Sequence, residues 1–149
     1  MIGILVDADL IIEALLNRNE FAEDVRELLD IIHPSIQMHL TDVGWQKIYA
    51  YASRFKNNKT AEIVGDWLQK KIQICVVDQT VLQKARLLPL KDFESAVELV
   101  CVSYHQLDAI VTHKQQDFAE APNKFWVWSV ADLRLRANLE SKLQTTISS

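Results

Sequence analysis

The sequence predicts a three-layer α/β/α sandwich built on a central parallel sheet of about five strands. Short apolar runs alternate along the chain with segments whose apolar residues recur at helical spacing. The strand-like runs are apolar on both faces, as strands covered by helices on both sides must be. Gly (3) and Pro (3) are too few for the many turns of an all-β protein. The length of 149 residues suits one domain, and neither a linker nor an internal repeat interrupts it. Residues 1–140 are read as that domain and 141–149 as a polar, mobile C-terminal tail.

Ile2-Gly3-Ile4-Leu5-Val6 is nearly continuous in apolar character and ends at Asp7, which marks a buried parallel strand. Leu10, Ile11, Ala14 and Leu15 then repeat at helical spacing, and a second helix is expected over about Glu20–Ile32. His33-Pro34-Ser35 breaks it. Ile36–Leu40 alternates as a strand, and Thr41 or Asp42 caps a helix reaching about Phe55. After the polar step Lys56–Lys59, Thr60 begins a helix with Ile63, Val64, Trp67 and Leu68 on its apolar face. Ile72–Val77, rich in β-branched residues, is the third strand. Asp78 caps a short helix, Leu88-Pro89-Leu90 is a break, and Asp92 caps a helix carrying Ala96, Val97, Val100 and Cys101. Ala109–Thr112 and Phe125–Trp128 are the fourth and fifth strands. Ser129 with Asp132 three residues later forms a capping-box variant that opens the last helix.

Composition narrows the function. Sixteen basic against twenty acidic residues give a charge of −4, which argues against a dominant electrostatic nucleic-acid binder. No apolar run approaches the roughly 20 residues of a membrane helix, and no signal-peptide pattern opens the chain. Cys75 and Cys101 sit in apolar runs and read as core thiols of a cytoplasmic protein. The chain lacks a Walker loop, a GxGxxG turn, a CxxC pair, an HExxH helix and a GxSxG elbow.

In parallel sheets, sites lie beyond the carboxyl ends of the strands. Asp7 follows the first strand, Asp92, Glu94 and Glu98 lie at the start of one helix, and Asp117 follows the fourth strand. Carboxylates gathered at one edge suit a hard divalent ion, which can activate water against a phosphodiester. From spacing alone, the simpler reading is helix caps and a solvated helix face. Trp45, Trp67, Trp126 and Trp128 lie in apolar patterns and read as core or interface residues rather than base-stacking platforms. Arg54, Lys56 and Lys59, with Lys70 and Lys71, form a basic cluster that is either a solvated surface or a phosphate-contacting arm.

Three segments resemble the PIN domain family: Ile4-Leu5-Val6-Asp7-Ala8-Asp9-Leu10-Ile11, Lys91-Asp92-Phe93-Glu94-Ser95-Ala96-Val97, and Asp108-Ala109-Ile110-Val111-Thr112 followed by Asp117-Phe118. They fall in the family's order over about residues 2–130. The resemblance implies Mg²⁺- or Mn²⁺-dependent RNA cleavage by clustered acids, as in the VapC-like toxins, which dimerise and are restrained by a cognate antitoxin. Carried over residue by residue, it makes Asp7, Asp92 and Asp117 the catalytic and metal-binding candidates; the basic cluster separately supplies Arg54, Lys56 and Lys59 as the nucleic-acid-binding candidates. The sequence departs from the pattern at three acid positions, which hold Gln46 or Lys47, Ser95, and Lys114. An acid-to-lysine change alters local charge by two units and opposes a metal ion. The expectation is that Lys47 or Lys114 reaches Asp7 and replaces the metal; Asp42, Glu94 or Glu98 substituting for the missing acids is the alternative. Two functions follow: a toxin-type ribonuclease of reduced activity, or an inactive PIN-derived module that binds RNA or a protein partner. A generic α/β domain without nuclease ancestry is a third reading.

Overall fold

The computed structural model describes residues 1–15, 35–123 and 126–148. Five strands form one sheet: β1 (Ile2–Val6), β2 (Ile36–Thr41), β3 (Gln73–Cys75), β4 (Ala109–Val111) and β5 (Val127–Trp128). The order is β3-β2-β1-β4-β5 and every pairing is parallel. The register sets Leu5 opposite His39 on one side and Ile110 on the other, so β1 is the middle strand. The described helices are α1 (Ala8–Leu15), α2 (Asp42–Phe55), α3 (Asn58–Lys71), α4 (Gln79–Arg86), α5 (Phe93–Tyr104) and α6 (Val130–Ser148), with a 3₁₀ turn at Gln115–Phe118. The helix expected over Glu20–Ile32, the break at His33-Pro34 and Phe125 at the start of the fifth strand lie outside the described residues.

Alternation along the strands divides the core in two. Ile2, Ile4 and Val6 pack with Met38, Leu40, Val111 and Trp128 against Leu10, Ile48, Leu68 and Leu133 from α1, α2, α3 and α6. Leu5 and Ile110 face the other way, with Cys75, against Val81, Ala96, Val100, Cys101 and Phe118. Residues 95–102 of α5 are all buried, so this helix sits deep in the second layer. Both cysteines are free and buried; burial pushes the Cys75 thiol up to about 11 and the Cys101 thiol to about 12.

Local capping chemistry sets most helix starts. Thr41, Asp78 and Asp92 each accept the amide of the third residue on, from Gly44 (2.8 Å), Val81 (2.9 Å) and Ser95 (3.1 Å). Ser129 and Asp132 exchange reciprocal bonds of 2.9 and 3.0 Å, so the shorter acid completes the box. Helix α3 starts at Asn58 rather than Thr60, because Asn57 caps it through the Thr60 amide. Strand β3 stops at Cys75, and the Val77 amide beyond it turns to the Asp42 side chain instead of the ladder. Helix α6 runs on to Ser148, so the polar residues from Ser141 continue the helix. The tryptophans serve packing: Trp128 is buried under the Arg136 guanidinium at 4.3 Å, and Trp45, Trp67 and Trp126 are partly buried against the core.

Gly44 lets α2 approach α1 closely. A Cβ there would lie 2.9 Å from Thr41 Oγ1 and 3.1 Å from Ala8 Cβ. Alanine normally stabilises a helix interior by about 1 kcal/mol over glycine. Here Gly44→Ala is expected to lower stability by about 1 kcal/mol, because the overpacking and the disturbed Thr41 cap outweigh the propensity gain. Urea unfolding of the two proteins measures the sign.

Candidate functional site

The carboxyl ends of β1 and β4 deliver Asp7 and Thr112 side by side. The Asp7 amide continues the ladder by donating to Val111 O at 3.0 Å, which holds its side chain at the sheet edge. Asp7 is buried, with 3% of its surface exposed. One carboxylate oxygen accepts from Thr112 Oγ1 at 2.7 Å and the other from the Asp9 amide at 3.0 Å. Burial raises the Asp7 pKa above the usual carboxylate value, although both hydrogen bonds favour the charged form. Thr112 Oγ1 also accepts the Lys114 amide at 3.0 Å, fixing the loop after β4.

Asp9, in the first turn of α1, lies between two ammonium groups. Lys47 Nζ from α2 donates to one of its oxygens at 2.8 Å, and Lys114 Nζ donates to the other. Lys47 also reaches both oxygens of Glu94, at the start of α5, at 2.8 and 2.9 Å. The expected contact of a lysine with Asp7 is therefore replaced by contacts with Asp9. Asp7 is turned inward and already bonded, whereas Asp9 stands one step further out. Burial would raise the Asp9 pKa, but the bonds from Lys114 and Lys47 outweigh it and hold the carboxyl below its usual range. Both lysine pKa values rise despite partial burial, because the facing carboxylates favour the charged amines.

Behind this cluster lies Glu98, one turn beyond Glu94 on α5 and only 4% exposed. Its carboxylate accepts the Ala8 amide at 3.4 Å. Burial first, then the charges of Asp7 and Glu94, push its pKa well above the usual 4.5. Ser95 faces its own helix cap, donating its hydroxyl to Asp92 Oδ2 at 2.6 Å. Asp92 is thereby engaged as a cap, and with Asp117 it lines a separate cavity of about 190 Å³ beside Leu90, Gln116 and Glu120. Among the described residues, no group of three or more His, Cys, Asp or Glu side chains could hold a metal ion.

The structure thus joins Lys47, Lys114 and Glu94 around Asp9, with Asp7 and Glu98 next to it. Asp42 points elsewhere, bonding the Val43 and Val77 amides at 2.9 and 3.0 Å. Arg54, Lys56 and Lys59 are exposed at the α2–α3 turn. Arg54 lies two helical turns beyond Lys47, about 10 Å further along α2. Sequence reasoning did not single out Asp9 as the hub or Thr112 as the partner of Asp7. The signal for Asp9 is the Asp-x-Asp spacing at the strand end, which puts the second acid in the first helical turn.

A family model described as PIN domain matches residues 3–116. The chain is similar in structure to a toxin–antitoxin complex from Klebsiella pneumoniae, with 17% identity, a TM-score of 0.63, and coverage of 85% of this chain and 96% of the other. It is similar to VapBC-1 from nontypeable Haemophilus influenzae at 12% identity and TM-score 0.64, over 88% and 99% of the two chains. Similarity to VapBC2 from Rickettsia felis, solved bound to a DNA fragment from their promoter, is 9% with TM-score 0.63, over 86% and 98%. At these identities the likeness is one of fold. No curated protein matches the sequence.

The buried acid makes a pH-dependent prediction. A carboxyl whose folded pKa lies above its unfolded value contributes stability that is fully present below about pH 4.5 and is lost as pH rises through the folded pKa. Glu98→Gln removes that loss. The variant is expected to melt close to wild type near pH 4.5 and above it near pH 8, as read by thermal unfolding across the pH range. Equal melting differences at both ends would show that Glu98 does not titrate differently on folding.

Proposed function

Because the chain belongs to the PIN domain family, we propose that it is a toxin–antitoxin-type PIN protein that has lost metal-dependent ribonuclease activity and works in the cytoplasm by holding a protein partner. The observation that carries this reading is the pair of ammonium groups on Asp9. Mg²⁺ requires near-octahedral oxygen coordination and enters sites where carboxylates are free to bind it. Here both oxygens of Asp9 and both of Glu94 accept from lysines. Ser95 offers a hydroxyl turned toward Asp92. The donor set present does not fit a divalent ion, so this edge lacks the Lewis acid that metal-dependent cleavage uses.

The residues perform a positioning task instead. Lys47 ties α2 to α1 and α5, and Lys114 ties the loop after β4 to α1. The result is an edge whose two outer carboxylates are each met by an ammonium group and whose elements are held together. A protein is favoured over RNA as its partner because the net charge is −4 and the basic residues Arg54, Lys56 and Lys59 stand apart from the acidic centre. The similar toxin–antitoxin complexes supply the precedent for a protein partner. The free, buried thiols are in keeping with a reducing compartment. Homodimerisation is a second assembly that the resemblance implies, and light scattering on the free protein measures it.

The test pairs catalysis with binding. Purified protein incubated with a fluorophore–quencher RNA in Mg²⁺ or Mn²⁺ is expected to cleave no faster than buffer, and Asp7→Asn to change nothing. Co-expression with the product of an adjacent small reading frame is expected to give a complex that survives gel filtration. Mn²⁺-dependent cleavage abolished by Asp7→Asn would instead establish the ribonuclease reading, with Asp7 as an essential acid.

A further inference from the structure

We infer that Lys47 and Lys114 are built-in counter-ions that together take over the structural role of a divalent cation, holding this sheet edge in a cation-filled arrangement with no ion present. The inference rests on the non-catalytic reading above and specifies what replaced the metal. Two ammonium groups deliver the same charge of two as a divalent ion. They satisfy all four oxygens of Asp9 and Glu94, as a bridging ion between two carboxylates would. The four side chains come from distant parts of the chain, with separations of 38, 47 and 105 residues across the three ion pairs. The network therefore joins α1, α2, α5 and the loop after β4.

The network also reaches the buried acid. Lys114 donates its amide to Thr112 Oγ1, which donates to Asp7, and the Asp9 amide donates to the other Asp7 oxygen. An ordinary surface ion pair contributes little, because water screens it and two long side chains must be ordered. These pairs differ in being partly buried, with Lys47 27% and Asp9 23% exposed, and in sharing partners. The raised amine pKa values agree with ammonium groups held by facing carboxylates.

Removing the ammonium charges should convert a cation-independent edge into a cation-dependent one. In Lys47→Gln/Lys114→Gln, Asp9 and Glu94 stand uncompensated beside Asp7. The experiment melts the full-length wild type, the double variant and Lys114→Gln in chelator, in Mn²⁺ at about 5 mM, and in Na⁺ of matched ionic strength. Calorimetric titration of Mn²⁺ accompanies each. Wild type is expected to melt at the same temperature in all three buffers and to bind no Mn²⁺. The double variant is expected to melt lower in chelator and to regain about 5 °C in Mn²⁺ but not Na⁺, with saturable binding.

A folded double variant indifferent to Mn²⁺ overturns the inference, as does a wild type that gains as much from Mn²⁺ as the variants do. If the double variant does not fold in chelator, its recovery by Mn²⁺ supports the inference. If it folds in neither buffer, Lys114→Gln decides, since Lys47 still bridges Asp9 and Glu94 there: a Mn²⁺-specific melting shift supports the inference and its absence overturns it. The two readings fail differently. Wild-type Mn²⁺ binding with RNA cleavage defeats the non-catalytic reading, whereas inert wild type with inert variants defeats only the counter-ion inference.

Discussion

β1 lies between β2 and β4 and is covered by a helical layer on each face, so the point where it ends is fixed from four sides. Asp7 occupies that point, and the turn after it starts α1 at once. The placement of Asp9, one step beyond, therefore follows from the strand and not from a flexible loop. The same holds for the partners: Thr112 ends its own ladder beside β1, and Lys47 rides on a helix that begins where β2 stops. A parallel sheet sends every strand end to one edge, and that edge is where this chain places its buried carboxyls, Asp7 and Glu98.

Electrostatics there separate into two zones. Deeper in, Asp7 and Glu98 are shielded from water, and burial drives both carboxyls toward the neutral form. Further out, Asp9 and Glu94 are partly exposed and each meets an ammonium group at 2.8 Å. Repulsion from neighbouring carboxylates adds to burial in raising both groups, with Asp9 acting on Asp7 and with Asp7 and Glu94 acting on Glu98. Lysines at two positions and serine at a third thus form one consistent set. The ammonium groups neutralise the outer acids, and Ser95, turned to its own cap, adds no charge that would need a further partner.

Much of the fold was legible because its causes are local. Strands apolar on both faces, the caps at Asp78 and Asp92, and the Ser129–Asp132 box each depend on residues within a few positions of one another. The end of β3 was not legible, since it depends on the Asp42 side chain reaching Val77 from 35 residues away. The site divides along the same line. That Asp7 would stand at a strand end could be read from the apolar run before it. Which carboxylate the lysines choose could not, because it depends on contacts between segments 38 to 105 residues apart and on which acid has free lone pairs after Thr112 has taken its share. The resemblance drew attention to Lys47, Ser95 and Lys114 but carried no information on where their side chains point.

The shared partner of the two lysines has a consequence for how the chain can change. Lys47 serves Asp9 and Glu94 together, so altering it disturbs two carboxylates at once, and Lys114 alone then faces both the inner and outer acids. An acid in place of Lys47 would leave three outer carboxylates around a single ammonium. An acid in place of Lys114 would crowd a new carboxylate against Asp7 and Asp9. Each single replacement leaves the edge worse balanced than the present set. The two lysines are therefore coupled, and what either position tolerates depends on the residue at the other.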